Sequence, residues 1–169
     1  MTSLAVDYLL TDDQVADFVI SGYHIVKPSF SPEFHSNVYS KLQSLSMNPG
    51  DEINKAVPAL DQIYAHPSVV GALTSLLGDA YVMAAHRHCH RNHPGTRSQM
   101  WHQDNLNIPM LIDGHGRVPD HVRSVLVMYY PQDVEANMGP TALIPGSHLF
   151  TSSPDRNASQ GNFRDQIIA

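Results

Sequence analysis

At 169 residues the chain fits a single domain that can bury a sizeable core, and 42% apolar with 15% charged residues marks it as globular rather than disordered. A formal net charge of -6 offers no basic footprint for nucleic acid, no apolar run is long enough to cross a bilayer, and the amino terminus lacks the basic-then-apolar pattern of a secretory leader. The expectation is a cytoplasmic protein with neither nucleic-acid nor membrane partners, and its one cysteine, Cys89, cannot form an internal disulfide.

The predicted elements begin with Thr11-Asp-Asp-Gln14, which has capping-box spacing. A short helix follows, with Val15, Phe18 and Val19 as its apolar face and Gly22 as a left-handed stop. Residues 23–26 read as a first strand. Ser31-Pro32-Glu33 starts a second helix: serine at the cap, proline where its missing donor costs nothing, and an acid near the positive end. Phe34, Val38, Leu42 and Leu45 recur at helical spacing before Asn48-Pro-Gly50 ends the run, and the next fifteen or so residues carry few regular signals and read as loop. A third helix spans residues 67–77, with Val69, Val70, Leu73, Leu76 and Leu77 as its face and Gly78 as its stop. These helices read as packing elements covering one side of a sheet.

Beyond Gly78 the pattern changes to strand-like segments broken by Pro, Gly and Asn: residues 80–91, 99–106, 123–130 and a short 141–144. Residues 109–122 form a loop carrying His115 and His121, and from Thr151 a polar stretch reads as a surface tail. Three parts of one domain follow from this: a helical part over 1–79, strands over 80–150 and a loop-like tail over 151–169. About five strands are found where a jelly roll takes about eight.

Chemistry concentrates at Trp101-His102-Gln103-Asp104. In a strand, residues i and i+2 share a face, so His102 and Asp104 can offer an imidazole nitrogen and a carboxylate oxygen to one ion while Gln103 faces away. Such a pair suits iron(II), which the 2-His-1-carboxylate triad holds by one side. Eleven histidines are the compositional oddity, and His86, His88, His90 and His93 lie within eight residues. His86, His88 and His90 alternate; adjacent members can share an ion, all three rarely can, and the plainer reading is a polar lining. Cys89 between them reads as an inert strand residue, and Trp101 and Tyr129 as core.

Three further elements stand in order: a His93-Pro-Gly turn into Ser-Gln-x-Trp-His-Gln-Asp, an apolar strand closing in Asp133, and Asn-Met-Gly-Pro-Thr-Ala-Leu-Ile-Pro-Gly-Ser-His over residues 137–148. With the opening Leu-Thr-Asp-Asp-Gln and Ser-Gly-Tyr, the chain resembles the phytanoyl-CoA dioxygenase family along essentially its whole length. The resemblance implies an α+β, mainly β fold: a double-stranded β-helix (jelly roll, cupin-like), here incomplete, with amino-terminal helices. It implies iron(II) as cofactor and 2-oxoglutarate as co-substrate, used to hydroxylate a C–H bond of a small molecule. It makes His102 and Asp104 metal ligands and places Gln103, His86 and His88 near the co-substrate.

In the family a second iron histidine and a carboxylate-binding arginine follow the Pro-Gly-Ser-His turn. Here no histidine follows His148, and Arg156 and Arg164 lie in loop-like sequence. Three expectations follow: an amino-terminal portion of an oxygenase that does not turn over, an enzyme with a substitute ligand from His148, His115 or His121, or a non-catalytic binding or scaffold protein. An incomplete barrel is also expected to self-associate through an uncovered sheet edge.

Overall fold

The computed structural model describes residues 6–85, 87–99, 101–102, 122 and 124–149. Among the described residues five α-helices lie in the amino-terminal half: α1 (Asp12–Ser21), α2 (Pro32–Ser44), α3 (Ile53–Ala56), α4 (Leu60–Tyr64) and α5 (Pro67–Leu77). Short 3-10 turns stand at Val6–Tyr8, Gly50–Glu52, Ala136–Met138 and Ser147–Leu149.

The caps form as their sequences require. Thr11 accepts from the Gln14 amide while the Gln14 side chain accepts from the Thr11 amide at 2.9 Å, completing the capping box of α1. Gly22 then stops the helix at φ 84°, a left-handed conformation that a side chain would strain. Ser31 caps α2 through the Phe34 amide, with Pro32 at the first helical position. Glu33 has its carboxyl held below the usual range, first by a hydrogen bond to its own backbone amide and then by the Ser31 hydroxyl. Helix α2 ends at Leu45, short of the Asn48-Pro-Gly stop.

The stretch read as loop between α2 and α5 is instead where the core sits. Val38 of α2 packs with Ile53, Val57, Leu60 and Ile63, all buried, and Phe30, Phe34, Leu42, Leu45, Tyr64, Cys89 and Tyr129 surround them. Two helices of four and five residues supply this wall. They are too short to show a full amphipathic period, and isolated helices of this length do not persist in water, so burial against α2 holds them. Helix α5 buries Val69, Gly71 and Ala72. Gly71 is the close approach: a Cβ there would overlap the Tyr8 carbonyl oxygen, and the 3-10 turn Val6–Tyr8 lies directly on the helix. The Leu10 amide donates to Ser75 Oγ at 2.9 Å, fixing the chain as it leaves that turn.

The mainly β double-stranded β-helix is overturned by this structure. Among the described residues there is no strand or sheet, only an isolated bridge position at Leu143, and the regular structure is helical. The physical reason is visible at residues 87–91, where the backbone meets side chains instead of a neighbouring strand. The Arg87 amide donates to Asp51 Oδ1 at 2.7 Å. The Asn48 carboxamide takes both polar groups of Cys89, accepting from its amide at 3.3 Å and donating to its carbonyl at 3.2 Å. Alternation in the sequence therefore marks an extended segment with an inner and an outer side, a pattern that docking on helices satisfies as well as a ladder does. Of the predicted strand 99–106, only Gln99, Trp101 and His102 lie within the described residues.

Candidate metal centre

Extended segments and turns, rather than sheet, present the motif residues that lie among the described ones. Arg87 and Arg91 anchor one segment by their ends. The Arg87 guanidinium donates to the Asp51 carbonyl through Nε and Nη2, at 3.0 and 2.9 Å. Arg91 donates to the Leu42 and Leu45 carbonyls at the exposed end of α2, where the unpaired carbonyls of the last turn and the negative end of the helix dipole both favour a cation. Arg87, Cys89 and Arg91 are accordingly half-buried, and His88 and His90 between them are exposed.

Two of the sequence motifs meet in space. The His93 turn closes by the Thr96 amide donating to the His93 carbonyl at 3.0 Å. Next to it, Asn92 Nδ2 donates 2.8 Å to the carbonyl of Gly139, the left-handed residue that ends the 3-10 turn Ala136–Met138. The Pro145-Gly-Ser-His148 turn has a different seat, on the carboxy end of α1. The Gly146 amide donates to the Ser21 carbonyl at 2.8 Å, and His148 Nε2 donates to the Val19 carbonyl at 3.0 Å while its ring lies over Gly22. His148 thus serves as a partner for the end of α1.

His102 is exposed and Trp101 beside it half-buried. Asp104, Gln103, His86, His115 and His121 lie outside the described residues. Among the described residues no group of three or more His, Cys, Asp or Glu side chains is placed to hold a metal ion. The donor chemistry of His102 with Asp104, one imidazole and one carboxylate, fits iron(II) at two positions. An open cleft of about 270 Å³ is bordered by Tyr8, Gln14, His24, Lys27 and Ser68; Leu10 and Gln14 of the opening motif line it, and His102 does not.

Tyr129 is the residue of the apolar run 124–130 that reaches the core. Its hydroxyl is hydrogen-bonded to His35 Nδ1 at 2.8 Å, and burial raises its pKa above the ordinary 10.0. The fold therefore favours the neutral phenol, so its contribution is complete below about pH 10 and is lost as pH rises through the raised value. Tyr129→Phe is expected to cost about 1 kcal/mol at neutral pH through the lost hydrogen bond, and to remove this residue's share of the alkaline loss. Urea midpoints at neutral pH and above pH ~10 check both parts; a midpoint difference between the two proteins that does not change with pH would count against the buried phenol.

The sequence reading passed over Asn48, Arg87, Arg91 and Asn92. Asn48 stands before Pro-Gly, which reads as a helix stop, and nothing local shows that its amide serves a residue 41 positions away.

These observations join the His-Pro-Gly and Asn-Met-Gly-Pro turns in one place, and the sequence model of the family described as phytanoyl-CoA dioxygenase (PhyH) matches residues 6–166. The chain belongs to the phytanoyl-CoA dioxygenase family. Its members are generally iron(II) and 2-oxoglutarate dependent, which gives this chain oxygenase-type function at the level of the family. No significant match to a curated protein or to a solved structure is found. No helix among the described residues is long and apolar enough to cross a membrane.

Proposed function

We propose that this phytanoyl-CoA dioxygenase family chain is an iron(II)- and 2-oxoglutarate-dependent oxygenase domain acting on a C–H bond of a small molecule, with His102 and Asp104 as two of the iron ligands. The family match over residues 6–166 carries the reading, and the His-x-Asp pair supports it by its donor chemistry. Iron(II) with 2-oxoglutarate supplies the oxidising chemistry: one atom of dioxygen enters the substrate as hydroxyl, the other enters succinate, and carbon dioxide leaves. The chain's own part is to hold and orient. Trp101, half-buried, stands beside the exposed His102 in sequence, and the Asn92 bond to Gly139 ties together the turns that flank the pair in sequence. Gln103, His86 and His88 are the proposed co-substrate neighbours.

An anaerobic titration with iron(II) and 2-oxoglutarate tests this. The expected result is a visible charge-transfer absorbance that saturates in the native chain and disappears in His102→Ala. Loss of that one imidazole leaves a single carboxylate from the pair, too few donors to hold the ion against water. No band in the native chain would overturn the oxygenase reading and favour a protein of this family that binds without turning over.

A further inference from the structure

We propose that Arg91 and Tyr129 are positioning residues for His102: they seat the two ends of the stretch that carries it on opposite ends of helix α2, and their role toward iron rests on the oxygenase reading above. Arg91 donates to the Leu42 and Leu45 carbonyls at the carboxy end of α2. The Tyr129 hydroxyl is hydrogen-bonded to His35 Nδ1 at 2.8 Å, near the amino end of the same helix. His35 and Leu42 stand seven residues apart, so they share one face of α2 and lie about 10 Å apart along its axis. Residues about 40 positions apart in sequence thereby take neighbouring seats, and once one is seated the other binds as an intramolecular partner.

Each seat is more than one bond. The chain reaches Arg91 in a fixed orientation, because Asp51 holds the Arg87 amide and Asn48 holds both polar groups of Cys89. The Tyr129 ring stacks on His35, with centroids 5.9 Å apart and planes at 29°, and packs against the buried cluster around Val38. A cross-tie joins the two sides: Asn92, next to Arg91, donates to the Gly139 carbonyl at 2.8 Å. That fit has little slack, since a Cβ on Gly139 would come within 3.1 Å of Asn92 Nδ2. Trp101 and His102 lie between the two seats in sequence. Residues 92–99, which lead to them, are all exposed, so this approach is held by contacts at its ends rather than by burial along its length. A ligand histidine needs such support to keep its geometry.

Trp101 is the chain's one tryptophan and adjoins His102, so its fluorescence reads this placement without iron. In Arg91→Ala and in Tyr129→Ala the emission should move to longer wavelength and acrylamide quenching should rise, while far-ultraviolet circular dichroism shows the helices retained. Ser75→Ala removes the Leu10 contact on α5 and touches neither seat, so it should lower stability and leave the emission unchanged. If loss of the Tyr129 ring unfolds the chain, Arg91→Ala, outside the buried cluster, decides alone. In the anaerobic titration with iron(II) and 2-oxoglutarate, both seat variants should need about tenfold more iron(II) to saturate the charge-transfer band, and Ser75→Ala should not. The proposal is overturned if the emission stays unchanged in Arg91→Ala, if Ser75→Ala moves it equally, or if the band saturates at the native iron(II) concentration in the seat variants. A native chain without the band overturns the oxygenase reading instead, and the fluorescence still decides whether the two seats position His102.

Discussion

Val38→Asp is expected to abolish cooperative folding of the helical half. Val38 has no exposed surface and lies on α2 against Ile53, Val57, Leu60 and Ile63. Among the described residues its buried neighbours are all aliphatic, and no buried polar or charged residue stands by to pair with a carboxylate. An unpaired charge in such a place costs several kcal/mol even when it escapes by taking up a proton, against a typical domain stability of about 5–15 kcal/mol. The short helices α3 and α4 have no stability apart from this contact and should melt with it. Val38→Ala supplies the graded control, at about 2 kcal/mol for two lost methyl groups and the space they leave. Urea unfolding followed by far-ultraviolet circular dichroism reads both; a Val38→Asp chain with a native midpoint would show that the core is not where the structure puts it.

Gly71→Ala is the second large effect, and its sign separates packing from propensity. In the interior of an isolated helix, alanine is favoured over glycine by about 1 kcal/mol, so α5 alone should be strengthened. In the folded chain a Cβ at this position would overlap the carbonyl oxygen of Tyr8, which is backbone and cannot swing aside. The 3-10 turn Val6–Tyr8 must then lift from α5, or the helix must shift, at a cost of about 1–3 kcal/mol for overpacking. The expected outcome is a lower midpoint together with faster hydrogen exchange at the Leu10 amide, whose bond to Ser75 Oγ depends on that seating. A raised midpoint with Leu10 protection intact would contradict the close contact.

What could be read from the chain and what could not divide along physical lines. Helices α1, α2 and α5 were legible because their signals are local: a hydroxyl three residues from its amide, a proline at the first position, a glycine at the stop, and apolar residues recurring at helical spacing. Helices α3 and α4 were not, because four or five residues show less than two turns of periodicity and no side-chain cap marks either start. The strands were inferred from alternation, which reports only that a segment has two sides. Whether the second side meets another strand, an Asn48 carboxamide or the end of α2 depends on residues about 40 positions distant.

For the candidate site, the sequence alone determined the family and the residues on offer: His102 and Asp104 two apart, the His-Pro-Gly turn, and the Asn-Met-Gly-Pro and Pro-Gly-Ser-His turns in order. Those are properties of residue identity and short spacing, and they hold whatever the chain does elsewhere. Only the tertiary structure decided that the first two turns meet through Asn92 and Gly139, that the third sits on α1 with His148 bonded to the Val19 carbonyl, and that His88 and His90 face outward while Arg87 and Arg91 hold the segment down. Each of those is a contact between groups far apart along the chain, formed because exposed carbonyls and amides at helix ends and in extended segments must find partners, and a partner is selected by position in space rather than by position in sequence.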